Sequence, residues 1–118
     1  MSKGVKITIL AVTVAVGFAL VASQSFAADA AKGEKVFKAN CVVCHGDKGD
    51  GKGPAAAPLT PKPKNFTDAN EMKGIDDARL KKSIVEGRPG TAMVSFAKTL
   101  SAGDIDDVIA YIKTLLKK

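Results

Sequence analysis

The 118-residue sequence predicts an all-α domain of about four short helices. Three observations predict it. Apolar residues recur at helical spacing in separate stretches, most regularly at Ile105, Val108, Ile109, Ile112, Leu115 and Leu116. No stretch carries a strand pattern. Segments rich in Gly and Pro separate the periodic stretches, chiefly at 46–64. The length allows one domain.

Residues 1–27 read as a secretory signal peptide. Lys3 and Lys6 precede an uncharged apolar run from Ile7 to Ala22, and Ser25-Phe26-Ala27 supplies a small-x-small cleavage site. The run is shorter than the ~20 residues a spanning helix needs, so cleavage after Ala27 is expected rather than a retained anchor. The domain is then 28–118, with no membrane span. Loss of two lysines lowers the formal charge from +6 to about +4. A domain of this size has a marginal core by itself, and only 5% of the residues are aromatic, with no Trp. A bound apolar group would supply the missing centre.

The first helix is expected over Asp29 to Asn40. Gly33, Phe37 and Cys41 lie on one stripe. A Gly inside a helix costs roughly 1 kcal/mol against Ala, which close approach of another group at that point would offset.

The most specific signal follows: Cys41-Val42-Val43-Cys44-His45. This C-x-x-C-H pattern is the attachment signature of c-type haem. Residues at i, i+3 and i+4 share one helical face. Two thiols on that face can add to the two vinyl groups of one porphyrin while the imidazole reaches its iron. A disulfide, a thioredoxin-like pair or half a zinc site are the alternatives. The redox pair wants a strand before the helix. Zinc wants four ligands, where the chain has one His and two Cys in all.

The loop from Gly46 to Lys64 holds two decoys. Gly46 to Gly53 resembles a phosphate-binding loop but ends in Gly, where Ser or Thr must hold magnesium. The acidic residues Asp47 and Asp50 hint at a calcium loop, yet its twelfth position is Pro58 rather than Glu. Neither nucleotide nor nucleic acid is expected as a partner.

Thr67 can cap a short helix, Asp68 to Lys73, stopped by Gly74. Asp76 or Asp77 can cap a second that runs to Glu86 and ends at Gly87, with Leu80, Ile84 and Val85 as its stripe. A loop follows from Arg88 to Phe96. The last helix opens on Ser101 and Asp104, a capping-box pattern, and carries Asp104, Asp106 and Asp107 in its first turns, where they suit the helix dipole.

Haem iron takes a ligand on each side of the ring. His45 is the only His, so the second ligand must be another type. The candidates beyond residue 27 are Met72, Met93 and the lysines. A thioether is a soft ligand that favours ferrous iron and raises the potential. Met93 lies in a loop, which can fold across a ring more easily than a helix, and is the expected ligand. Met72 is expected to be core filler.

With these residues in view, the chain resembles a small bacterial periplasmic class I cytochrome c with one haem and His/Met ligation. The resemblance covers 29–118. It rests on Gly33 and Phe37, on Cys41-Val42-Val43-Cys44-His45, on Pro89-Gly90-Thr91-Ala92-Met93 and on Ala110-Tyr111-Ile112. It implies the cytochrome c fold, with the helices wrapped around one covalent haem c and the first and last helices crossing where Gly33 and Phe37 meet Tyr111. It implies His45 and Met93 as axial ligands and a proline carbonyl that orients His45, for which Pro54 is the choice and Pro58 the alternative. Val94 departs from the pattern, since many relatives have Pro directly after the Met. Arg88 and Lys64 are candidates to face the propionates.

The implied function is one-electron transfer in the periplasm by a monomer, not catalysis. A six-coordinate iron offers no open position to a substrate. Lys48, Lys52, Lys62, Lys64 and Lys98 would steer redox partners with acidic docking patches. A sensor or small haem enzyme, with Met93 displaceable, is the alternative class. A dedicated subunit of, or donor to, a membrane oxidase is a further possibility with the same chemistry.

Overall fold

The computed structural model describes residues 27–116, together with the isolated glycines at 4 and 17. The predicted signal peptide therefore lies, but for Ala27, outside the described residues. Four helices follow in order: α1 Ala30–Asn40, α2 Val42–His45, α3 Asp77–Glu86 and α4 Ala102–Leu115. Among the described residues there is no strand.

Helix α1 starts where a short acidic side chain can satisfy its orphan N–H groups. The Asp29 carboxylate accepts from Ala31 and Lys32, and the Asp29 N–H donates to the Asp107 carboxylate at 2.7 Å. The first helix is thus tied to the last at its first residue. Further along, α1 buries Gly33 and Phe37. A Cβ on Gly33 would lie 1.8 Å from the Asp107 carbonyl oxygen, so the two backbones meet there directly. Phe37 is fully buried, with ring centroids 5.2 Å from Tyr111 and 6.3 Å from Phe66, the latter edge-on. The crossing implied by the resemblance is present, and the helical Gly serves it.

Helix α4 carries the capping box at Ser101 and Asp104, with both hydrogen bonds formed. It buries Ile105, Val108, Ile109, Tyr111, Ile112 and Leu115. Asp76, not Asp77, caps α3, and Leu80 and Ile84 are its buried residues. Two exposed ion pairs join α3 to α4, Lys81–Asp106 at 2.8 Å and Lys113–Asp77 at 3.0 Å.

The expected helix at Asp68 to Lys73 is not formed; residues 69–74 are hydrogen-bonded turns. Asp68, rather than Thr67, takes the capping role, accepting from Asn70 and Glu71. The Thr67 hydroxyl instead donates to Asn65. Gly74, at φ +73°, turns the chain away after a single turn, too short to repay helix nucleation. The short α2 at the Cys41-to-His45 motif takes its place among the four helices of the described residues. Met72 sits in the core, as expected.

The loop from Gly46 has no regular structure but is closely tied. The N–H groups of Gly51, Gly53 and Ala55 donate to the carbonyls of His45, Cys44 and Val43, which α2 leaves unpaired. Phe66 N–H then donates to Gly49 O at 2.7 Å.

Candidate functional site

Helix α2, the chain at 59–66, α3, the loop at 91–96 and the inner face of α4 enclose a cavity of about 420 Å³. Cys41, Cys44, His45 and Met93 all line it. Its walls are largely apolar, among them Leu80, Ile84, Phe96, Leu100, Val108 and Ile112. Met72 and Pro54 do not line it. Two distant parts of the sequence, the Cys-rich motif and the Met93 loop, thus share one apolar chamber.

His45 Nδ1 lies 3.0 Å from the carbonyl oxygen of Lys64. A carbonyl only accepts, so Nδ1 donates and Nε2 keeps its lone pair. Burial holds the imidazole below its ordinary titration range, against an opposing pull from the Lys64 carbonyl. The ring stacks on Phe66 with centroids 4.5 Å apart and planes at 18°. His45 is therefore neutral, in one tautomer, and held in one plane.

The partner of Nδ1 corrects the expectation of Pro54 or Pro58. Pro54 follows Gly53 in the segment that caps α2. A Cβ on Gly53 would lie 2.4 Å from Val43 O, so this segment is pressed against the helix end and Pro54 faces out, exposed. The chain returns past the imidazole only at 63–66, which brings the Lys64 carbonyl to it.

Cys41 and Cys44 carry free thiols. Burial, and secondarily the neighbouring Cys44, push the Cys41 thiol up to about 11, so it is protonated at neutral pH.

Met93 is half-buried and its backbone is anchored on both sides. The Arg88 N–H donates to Met93 O at 3.0 Å. The Thr91 hydroxyl donates to Arg88 O at 2.7 Å and accepts from Met93 N–H at 3.1 Å.

Lys62, Lys64, Arg79 and Arg88 place cationic side chains around the cavity. Lys62 is engaged by the Ala57 carbonyl. Lys48, Lys52 and Lys98 are exposed but do not line it. Arg79 and Phe66 escaped the sequence reading. Phe66 had one available signal, its place at the end of the Pro-rich loop, whereas Arg79 looked like any exposed helical cation.

The profile of the family described as Cytochrome c matches residues 30–116. The chain is 37% identical over 103 residues to cytochrome c6 of Porphyra purpurea, an alignment covering 87% of this chain and 84% of that protein. It is 40% identical over 87 residues to the cbb3-type cytochrome c oxidase subunit FixP of Bradyrhizobium diazoefficiens, covering 74% of this chain but only 28% of that subunit. The crystal structure of cytochrome c6 from the diatom Phaeodactylum tricornutum superposes with a TM-score of 0.59 at 22% identity, covering 75% of this chain and 95% of that one, which supports the shared fold. The all-α fold crossed by its terminal helices and the family profile lead to one assignment: the chain belongs to the cytochrome c family.

Proposed function

We propose that this chain is an exported one-electron carrier that holds covalent haem c through Cys41 and Cys44, with His45 and Met93 as the axial ligands of its iron. One observation carries the reading: two thiols, an imidazole with a free lone pair and a thioether line the same apolar cavity. The donor set fits haem c. The two thiols come from the C-x-x-C-H pattern that attaches haem c, and the nitrogen and sulfur donors suit iron.

When bound, haem c supplies one iron that takes up and gives back a single electron. The residues of the chain do the rest. His45 donates its Nδ1–H to the Lys64 carbonyl, which fixes the tautomer and makes the Nε2 lone pair a better ligand. Phe66 holds the ring plane. Met93 offers a neutral, soft sulfur, which raises the potential. The apolar walls exclude water and lower the local dielectric. Arg79, Arg88 and Lys64 suit the two propionates. His45 and Met93 would both hold the iron and leave no open position for a substrate, which favours a carrier over a sensor or an enzyme.

The predicted signal peptide supports a periplasmic location. Among the described residues no helix is long and apolar enough to cross a membrane. Exposed Lys48, Lys52, Lys64 and Lys98 support brief docking of acidic redox partners by a monomer, with association rates that fall as salt rises. The likeness to an oxidase subunit makes a terminal oxidase one candidate partner.

The test is an optical series and a denatured mass on protein matured in an export-competent host with haem-attachment machinery. The expected mass is residues 28–118 plus one haem, with the weak near-red band of Met-ligated ferric haem. Met93→Ala should keep the haem, lose the band and lower the potential. Loss of the band in Met72→Ala but not in Met93→Ala would reverse the ligand assignment. Rapid, tight carbon monoxide binding by the reduced protein at neutral pH would favour the sensor reading instead. A mass without haem would sink the proposal.

A further inference from the structure

Helix α3 ends at Glu86, so the carbonyls of its last turn have no partner within the helix. Two of them are claimed by the chain just beyond Met93. Ile84 O accepts from Phe96 N–H at 2.9 Å, and Val85 O accepts from the Ser95 hydroxyl at 2.5 Å. The Ser95 oxygen also accepts from Ala97 N–H at 3.3 Å. Gly87 stands between the helix end and this segment. It is buried at φ +71°, and a Cβ there would lie 2.8 Å from Met93 O and 2.9 Å from Ser95 N and from Val94 C. The Met93 backbone is therefore laid directly on Gly87.

These contacts bear on the residue after Met93. Val94 is 63% exposed, so it is not anchored by burial, and it lacks the fixed φ that a proline would supply. The direction of the chain leaving Met93 is set instead by the bonds of Ser95 and Phe96 to the last turn of α3. We propose that Ser95 and Gly87 are positioning residues for Met93: they lock the ligand loop to the C-terminal end of α3. The proposal rests on Met93 as an axial ligand and goes beyond it, since neither residue lines the cavity.

The experiment compares four holoproteins: the unsubstituted protein, Ser95→Ala, Ser95→Thr and Gly87→Ala. Free imidazole competes with Met for ferric iron, so its affinity reads how firmly the Met is held. The near-red band and thermal unfolding are recorded alongside. Ser95→Ala should bind imidazole roughly 2- to 10-fold more tightly, the worth of one hydrogen bond, with a weaker band. Ser95→Thr, which keeps the hydroxyl, should restore both. Gly87→Ala should exceed Ser95→Ala in the same direction; if it does not fold, the Ser95 pair decides.

Unchanged imidazole affinity in Ser95→Ala overturns the proposal, whether or not its unfolding temperature falls, because a purely structural role would move stability alone. Failure of Ser95→Thr to restore the affinity also overturns it. Absence of the near-red band from the unsubstituted protein overturns Met ligation itself, and is distinguishable because it precedes any substitution.

Discussion

Gly33, Phe37 and Tyr111 join α1 to α4 through what their side chains are, or in one case through a side chain that is missing, whereas the Nδ1–H of His45 and the carbonyl of Met93 each meet a main-chain group, of Lys64 and of Arg88, beside the side chains of Phe66 and Thr91. The first kind of contact is specific to residue type. A ring filling a closed space, or a backbone approach that no Cβ survives, permits few alternatives. The second kind is specific to path. Any residue at position 64 brings a carbonyl, provided the loop before it returns past the imidazole. The crossing should accordingly be sensitive to side-chain substitution, and these two main-chain contacts to changes in the course of their loops.

That contrast can be broken at several points. Phe37→Ala empties a fully buried position and should cost the holoprotein about 3–5 kcal/mol in denaturant unfolding, while the near-red band survives below the transition. Loss of the band with little loss of stability would show that crossing and site are not separable. Gly33→Ala should cost about 1–3 kcal/mol although it introduces a better helix former, because the new methyl meets the Asp107 carbonyl. The matched control is Gly103→Ala in α4, where the nearest atom to a Cβ is Ser101 Oγ at 3.8 Å; it should be neutral or gain up to about 1 kcal/mol. If the two substitutions change stability alike, close approach is not what Gly33 provides. Ser101→Ala removes the cap of α4 and should cost about 1 kcal/mol, read as a fall in thermal midpoint. The smallest effect belongs to Lys113→Met. Its pair with Asp77 is more than half exposed on both sides, so the change should stay below about 1 kcal/mol and shrink further in salt.

Much of this architecture is legible in the order of residues. Ser101 with Asp104, and Asp76 as one of two neighbouring candidates, announce helix starts because short side chains satisfying orphan N–H groups are local chemistry. The Cys41-to-His45 motif is legible for the same reason: its spacing places three donors on one turn. The helix expected at Asp68 to Lys73 illustrates the limit. Its stop at Gly74 is real, but Thr67, the expected cap, bonds Asn65 instead, the stretch is under two turns long, and the chain forms turns around a buried Met72. The expectation of Pro54, with Pro58 as the alternative, failed differently. The acceptor is a backbone carbonyl, and no residue type marks which carbonyl of an irregular loop will meet a distant imidazole.

By itself, then, the order of residues determined the three longer helices, the capping box of the last and the Cys41-to-His45 motif. All of these depend on side-chain chemistry or on spacing within a few residues. Only the folded chain could assign the Lys64 carbonyl to His45, bring Phe66 flat against the imidazole, draw Arg79 to the cavity and seat the Met93 loop on Gly87. Each of these joins positions whose distance in space is set by the path of an irregular loop, and that path follows from every hydrogen bond along it rather than from any one residue.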